Sequence, residues 1–280
     1  MTVPSPLRRG LAAAALCLAL AVAGCGGGGE ATPEYRAVGT VLEVTRTPSA
    51  EVGAHGPQLC LGPIMMSLPP QCGGIDIVGW DWDTVTGERS AAGTTWGSYA
   101  VVGTFDGSRF ALSEPARPAT DRAGDPRHPD FTTPCPEPPG GWIPRAGRAD
   151  DDLLARGATR YLDRSPDTSA VWLDMTRARV VVNVRVTRSV AAHRARLRSL
   201  IPGNLCVIEG GRSRAALNRM LNVEIRRLPR ANRLGGLVDE VAGTSELWVV
   251  LDRDGELERD LDARYGPGAI RVSSALAPAS

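Results

Sequence analysis

The stretch YAVVGTFDGSRFALSE, residues 99–114, decides the reading of the first half of the chain. Two β-prone runs, Tyr99–Phe105 and Arg109–Leu112, flank Asp106–Gly107, a pair that tolerates the positive φ of a tight hairpin turn. Working outward, Val38, Val41, Leu42 and Val44 with Thr40 and Thr45 form another extended run, and β-branched residues favour strands. Gln58–Leu61 and Ile75–Trp82 add short strands bounded by Gly and Pro. Short strands, many glycines and no helical period predict a small β-barrel or sandwich over residues 34–114, with an OB-like barrel as first choice.

Residues 115–150 change character, because prolines from Pro115 to Pro144 interrupt any regular element. Phe131, Cys135 and Trp142 are residue types that seek burial. The segment therefore reads as a linker, mobile over 115–130 and docked over 131–145.

Residues 151–280 alternate between strand and helix. Val180, Val182, Val184 and Val186 take one face of a strand, with Asn183 and Arg185 on the other. Ser189 is placed to cap a helix carrying Val190, Leu197 and Ile201, which Pro202–Gly203 ends. Leu205–Ile208 follows as a strand, and Ala216 to Leu228 recur at helical spacing up to Pro229. Leu247–Leu251 is a strand, Leu257, Leu261 and Tyr265 mark a helix, and Ile270, Val272 and Leu276 alternate as a last strand. One-sided helices between strands predict a helix-covered sheet, ferredoxin-like or related, so the expected class is α+β.

Residues 1–24 divide as an export leader: Arg8 and Arg9, then the apolar Leu11–Ala21, then small residues before Cys25. The apolar stretch is shorter than the ~20 residues that span a bilayer. This layout resembles a bacterial lipoprotein precursor, with Val22–Ala23–Gly24–Cys25 as the lipobox and Val22 where Leu is usual. The resemblance covers these 25 residues and implies cleavage before Cys25, lipidation of Cys25 and anchorage on the extracytoplasmic face of the cell membrane. Two or three acyl chains at ~0.8 kcal/mol per buried CH2 hold a protein stably on a membrane. Residues 25–33, with Gly26–Gly29, then read as a tether.

Two of the 32 basic residues lie in the leader, where no acid occurs, so the rest of the chain carries a net charge of −1. That balance argues against non-specific nucleic-acid binding, which needs a basic footprint. All the basic residues are Arg, a composition similar to secreted proteins of high-GC bacteria.

Four cysteines remain beyond Cys17 and Cys25: Cys60, Cys72, Cys135 and Cys206. An even count in an exported chain predicts two disulfides, and four cysteines allow three pairings. The closeness of Cys60 and Cys72 in one Pro/Gly-rich segment favours pairing them, leaving Cys135 with Cys206. A metal site is the weaker reading, since there is no Cys-x-x-Cys and no histidine beside a cysteine.

Gly79–Trp80–Asp81–Trp82–Asp83 is the one possible ligand platform. If extended, Trp80 and Trp82 share a face, and flat indoles stack on sugars or peptides; the alternative is that both fill the barrel core. Asp150–Asp151–Asp152 and Asp252–Glu256 fit helix N-termini better than calcium loops. Gly210–Gly211–Arg212–Ser213 lacks the lysine and spacing of a phosphate loop. There is no Gly-x-Ser-x-Gly motif, and His55, His128 and His193 each read as solvated side chains. No cofactor and no catalytic residue is expected. The chain reads as a non-catalytic binding module whose partners are membrane lipid, through Cys25, and an envelope protein or glycan. The alternative is a cell-wall hydrolase using two carboxylates.

Overall fold

In the computed structural model, which describes residues 32–44, 55–119, 130–143, 156–175 and 180–279, the first half of the chain is almost all strand. The expected leader and lipobox with Cys25, the expected tether Gly26–Gly29, His128 and Asp150–Asp152 lie outside the described residues. In order come β1 (Glu34–Val44), β2 (His55–Cys60), β3 (Ile75–Val78), a 3-10 turn (Trp82–Thr84), β4 (Arg89–Ala91), β5 (Thr94–Phe105), β6 (Arg109–Leu112) and β7 (Arg117–Pro118). Five of these strands close a ring. β1 pairs with β2, β2 with β3, β3 runs parallel to β6, β6 pairs with β5, and β5 returns to β1 along the whole of Glu34–Val44. A closed circuit leaves no strand edge open to mispairing.

Alternation along these strands fills the barrel. Tyr35, Ala37 and Val41 of β1 point inward with Leu59, Ile77, Tyr99, Val101 and Phe110, while Arg36 and Val38 face out. Asp106 fixes the β5–β6 turn, its Oδ1 accepting from the backbone N–H of Ser108 (2.8 Å) and Arg109 (2.7 Å), with Gly107 at φ 100°. Gly103 is required by close approach: a Cβ there would lie 2.0 Å from the Ala111 carbonyl oxygen.

The second half contains α1 (Arg156–Arg164), β8 (Thr168–Asp174), β9 (Val181–Val186), α2 (Val190–Arg198) and β10 (Asn204–Glu209). It continues through α3 (Arg214–Arg227), β11 (Arg233–Asp239), β12 (Thr244–Val249), α4 (Glu256–Tyr265), β13 (Ile270–Ser274) and β14 (Ala277–Pro278). The strands form two three-stranded sheets, where the sequence led us to expect one. Each sheet has an antiparallel hairpin (β8–β9, β11–β12) and a parallel strand reached through a helix (β10 through α2, β13 through α4). The chain therefore runs twice through the same helix–strand–strand–helix–strand order. Each copy closes its own core, Val182, Val184, Leu197 and Leu205 in the first and Leu221, Leu247, Leu261 and Ile270 in the second. That is why the sheets stay separate.

Arg185 joins the two copies. Its guanidinium donates to Ser169 Oγ (3.2 Å) in the first, and to the carbonyls of Glu240 (2.5 Å) and Val241 (3.0 Å) in the β11–β12 turn. From Pro33 onward the described residues form one compact unit, and the last strand closes it. β14 pairs with the start of β1, and Val250 and Leu276 enter the barrel core.

Residues 130–143 are docked on the first sheet, but through polar groups and sulfur. The Thr133 N–H donates to Asp174 Oδ2 (2.7 Å), Asn204 exchanges two hydrogen bonds with the Ile143 backbone (2.9 and 3.0 Å), and Cys135 is bonded to Cys206. Phe131 stays exposed. Ser189 precedes α2 as expected but sits in the left-handed region and makes no capping bond, whereas Ser213 Oγ accepts from Ala216 N–H (3.2 Å) at α3.

Candidate functional site

A cleft of about 1130 Å³ opens on the β2–β3 face of the barrel. One wall is Gln58, Ile75 and Asp76 with the Pro69–Gly74 loop, and the opposite wall is Arg230, Ala231, Arg233 and Leu234 from the second half of the chain. Each wall is held by specific bonds. Gln58 is buried, and its Oε1 accepts from the Gly74 N–H (3.1 Å). At Gly74 a Cβ would lie 2.8 Å from the Leu59 carbonyl oxygen, so only glycine lets the loop lie so close to β2. Opposite, Arg230 opens a 3-10 turn (Arg230–Asn232) fixed by Asn232, which accepts from Leu251 N–H (2.8 Å) and donates to Leu251 O (3.0 Å). Arg233 donates to the Leu228 carbonyl (2.7 Å) and is tied to the end of α3. Arg230 is exposed and lines the cleft. Among the described lining residues Asp76 is the one carboxylate.

Both predicted disulfide pairings are present, Cys60–Cys72 and Cys135–Cys206. The first closes the loop that forms one cleft wall.

Trp80 and Trp82 lie away from the cleft and are half-buried against the barrel core. They are not an extended pair, because Trp82 starts a 3-10 turn whose Asp81 side chain accepts from Asp83 N–H (3.0 Å). The two indoles meet edge to face at 5.2 Å, and both pack on Tyr99, at 4.8 and 6.2 Å. Trp82 Nε1 donates to Glu43 Oε2 (2.5 Å). Burial, and then the negative charge of Glu88, push the Tyr99 phenol up and keep it neutral. This geometry makes the indoles part of a barrel plug. Trp80→Ala is expected to lower stability by about 2 kcal/mol, the scale of one buried apolar side chain. Thermal unfolding checks it; an unchanged melting temperature would return Trp80 to the role of surface platform.

His193 departs from the solvated role its sequence neighbours suggested. It is buried, with Nδ1 2.7 Å from Tyr161 Oη and Nε2 3.7 Å from Asp167 Oδ2. A hydrogen bond from Arg188 (2.9 Å), its charge and contact with His193 hold Asp167 below the usual carboxylate range against modest desolvation. Sequence reasoning missed this because His193 lies on α2 while its partners lie on α1 and on the turn before β8. No lining residue of the cleft takes part. Among the described residues no group of three His, Cys, Asp or Glu converges in a way that could hold a metal.

No match came from protein-family models, curated proteins or solved structures.

Proposed function

We propose that this chain is a lipid-anchored, extracytoplasmic binding module whose ligand occupies the β2–β3 cleft. The observation that carries the reading is where the cleft lies. The circuit β1-β2-β3-β6-β5-β1, with β3 parallel to β6, matches an OB-type barrel, and such barrels bind ligands on the face of their second and third strands. Arg230 facing the cleft from the opposite wall favours a polar or anionic segment of an envelope protein or glycan. The two disulfides support an oxidising compartment, and the lipobox-like Val22–Ala23–Gly24–Cys25 favours anchorage on the membrane through Cys25. The repeated helix–strand–strand–helix–strand unit is the ferredoxin-like order without its first strand.

A cell-wall hydrolase is the rival reading. Glycoside hydrolysis by carboxylates uses a pair about 5–9.5 Å apart, and the described lining, with Asp76 as its one carboxylate, supports binding instead.

Arg230→Glu is expected to weaken binding to fragments of the cell wall, or to an envelope protein captured by crosslinking, at least tenfold without moving the melting temperature. Titration of the purified protein measures it. Equal affinity in the variant would remove the cleft from the reading.

A further inference from the structure

We infer that the loop between Cys60 and Cys72 is an apolar finger that seats on the lipid surface beside the anchor, an inference that rests on the lipid-anchored reading above. Residues 52–75 contain no Asp, Glu, Lys or Arg. At the tip Met66 is fully exposed, with Met65 and Leu68 at 64% and 80%. Such apolar side chains, clustered in water on a loop free of charge, mark a contact with another apolar phase.

The finger is built. The Cys60–Cys72 bond closes its base, Leu61 packs on the barrel core, the Met65 N–H donates to Gln71 O (2.9 Å), and Ser67 Oγ donates to Pro69 O (2.8 Å). Its apolar surface continues onto the barrel, where Ile64 lines a depression with Val38, itself exposed on β1.

The occupant follows from the chain before the barrel. Eight residues, Gly26–Pro33, separate Cys25 from β1, so nine Cα steps reach at most about 32 Å. β2 runs back toward the start of β1, and its last residue, Cys60, lies opposite Thr40, about 20 Å along β1 from Glu34 and so within that reach. Acyl chains on Cys25 therefore keep the finger within reach of the bilayer. Arg36 and Arg117 are exposed in the strand rows beside Val38, where phosphate headgroups would meet them. A seated finger would also orient the cleft, because Pro69–Gly74 forms one of its walls.

The test uses the full native chain, purified from membranes and reconstituted in vesicles of phosphatidylcholine and phosphatidylglycerol whose acyl chains carry a photoactivatable diazirine. Peptide mapping is expected to find residues 61–72 labelled at least fivefold above the peptide holding Met175, which is also exposed. The double variant Met66→Ser/Leu68→Ser should lose that label while still sedimenting with vesicles. A chain that is acylated at Cys25 and sediments, yet is unlabelled over 61–72, overturns the finger and leaves the anchor standing. A chain without acyl groups on Cys25 overturns both.

Discussion

Replacing Cys135 and Cys206 together by serine is expected to lower stability by about 4 kcal/mol, from the loop-closure entropy of a long cross-link. The bond spans 71 residues. For a unit of this size that is a fall of roughly 8–16 °C in melting temperature. The loss should be concentrated in the segment the bond holds. Residues 130–143 keep little apolar burial, with Phe131 and Ile143 exposed, and their other ties include the bonds of Thr133, Asn204 and the Trp172 indole. Proteolysis of the double variant should therefore cut first within this segment. The Cys60–Cys72 bond spans 12 residues, and its loss is expected to cost about 3 kcal/mol on the same entropic scale. Denaturant unfolding of the two double variants compares them directly. A Cys135/Cys206 variant as stable as the parent would mean that the segment is held by something else.

Glu224 is the second site where one substitution should cost much. Its carboxylate is buried on α3 and accepts from Tyr265 Oη (2.5 Å), Arg264 (2.7 Å) and Arg227 (2.7 Å). Burial pushes this carboxyl up. The hydrogen bonds from Tyr265 and Arg264 and the charges of Arg264 and Arg227 outweigh it, and the group is held below the ordinary glutamate value. Glu224→Ala leaves the Tyr265 hydroxyl without its acceptor and frees two half-exposed arginines to solvent, at a cost of about 2 kcal/mol. The pH dependence has a definite sign. Because the folded-state value is depressed, this contribution is complete above the ordinary value of about 4.3 and is lost as pH falls through the lower folded value. Stability of the parent should therefore drop more steeply below pH 4 than that of Glu224→Ala. Parallel curves for the two would contradict the assignment.

Local chemistry made much of this fold legible. The Asp106–Gly107 hairpin, the strand of alternating valines and the helices ending at Pro229 and Gly266 lie where turn residues and periodicity placed them. Sequence proximity was enough to pair Cys60 with Cys72, and the other pair followed.

The missed features depend on contacts between distant segments. β11 contains Gly235 and Gly236, which lower strand propensity, yet Gly236 is needed because a Cβ there would lie 2.4 Å from the Glu246 carbonyl oxygen. The repeated unit was hidden because its copies share no residue pattern: Val181–Val184 of β9 corresponds to Thr244–Leu247 of β12. The return of β14 to β1 could not be read from a two-residue strand ending in proline. The cleft was invisible for the same reason, since its walls, Gln58 and Arg230, come from opposite halves of the chain.

Mass spectrometry of the native protein extracted from membranes, read at its N-terminal peptide, tests the central claim most directly. The expected result is a chain that begins at Cys25, carries the mass of a diacylglyceryl group on that residue and partitions with detergent. A water-soluble chain that still carries residues 1–24 would contradict it.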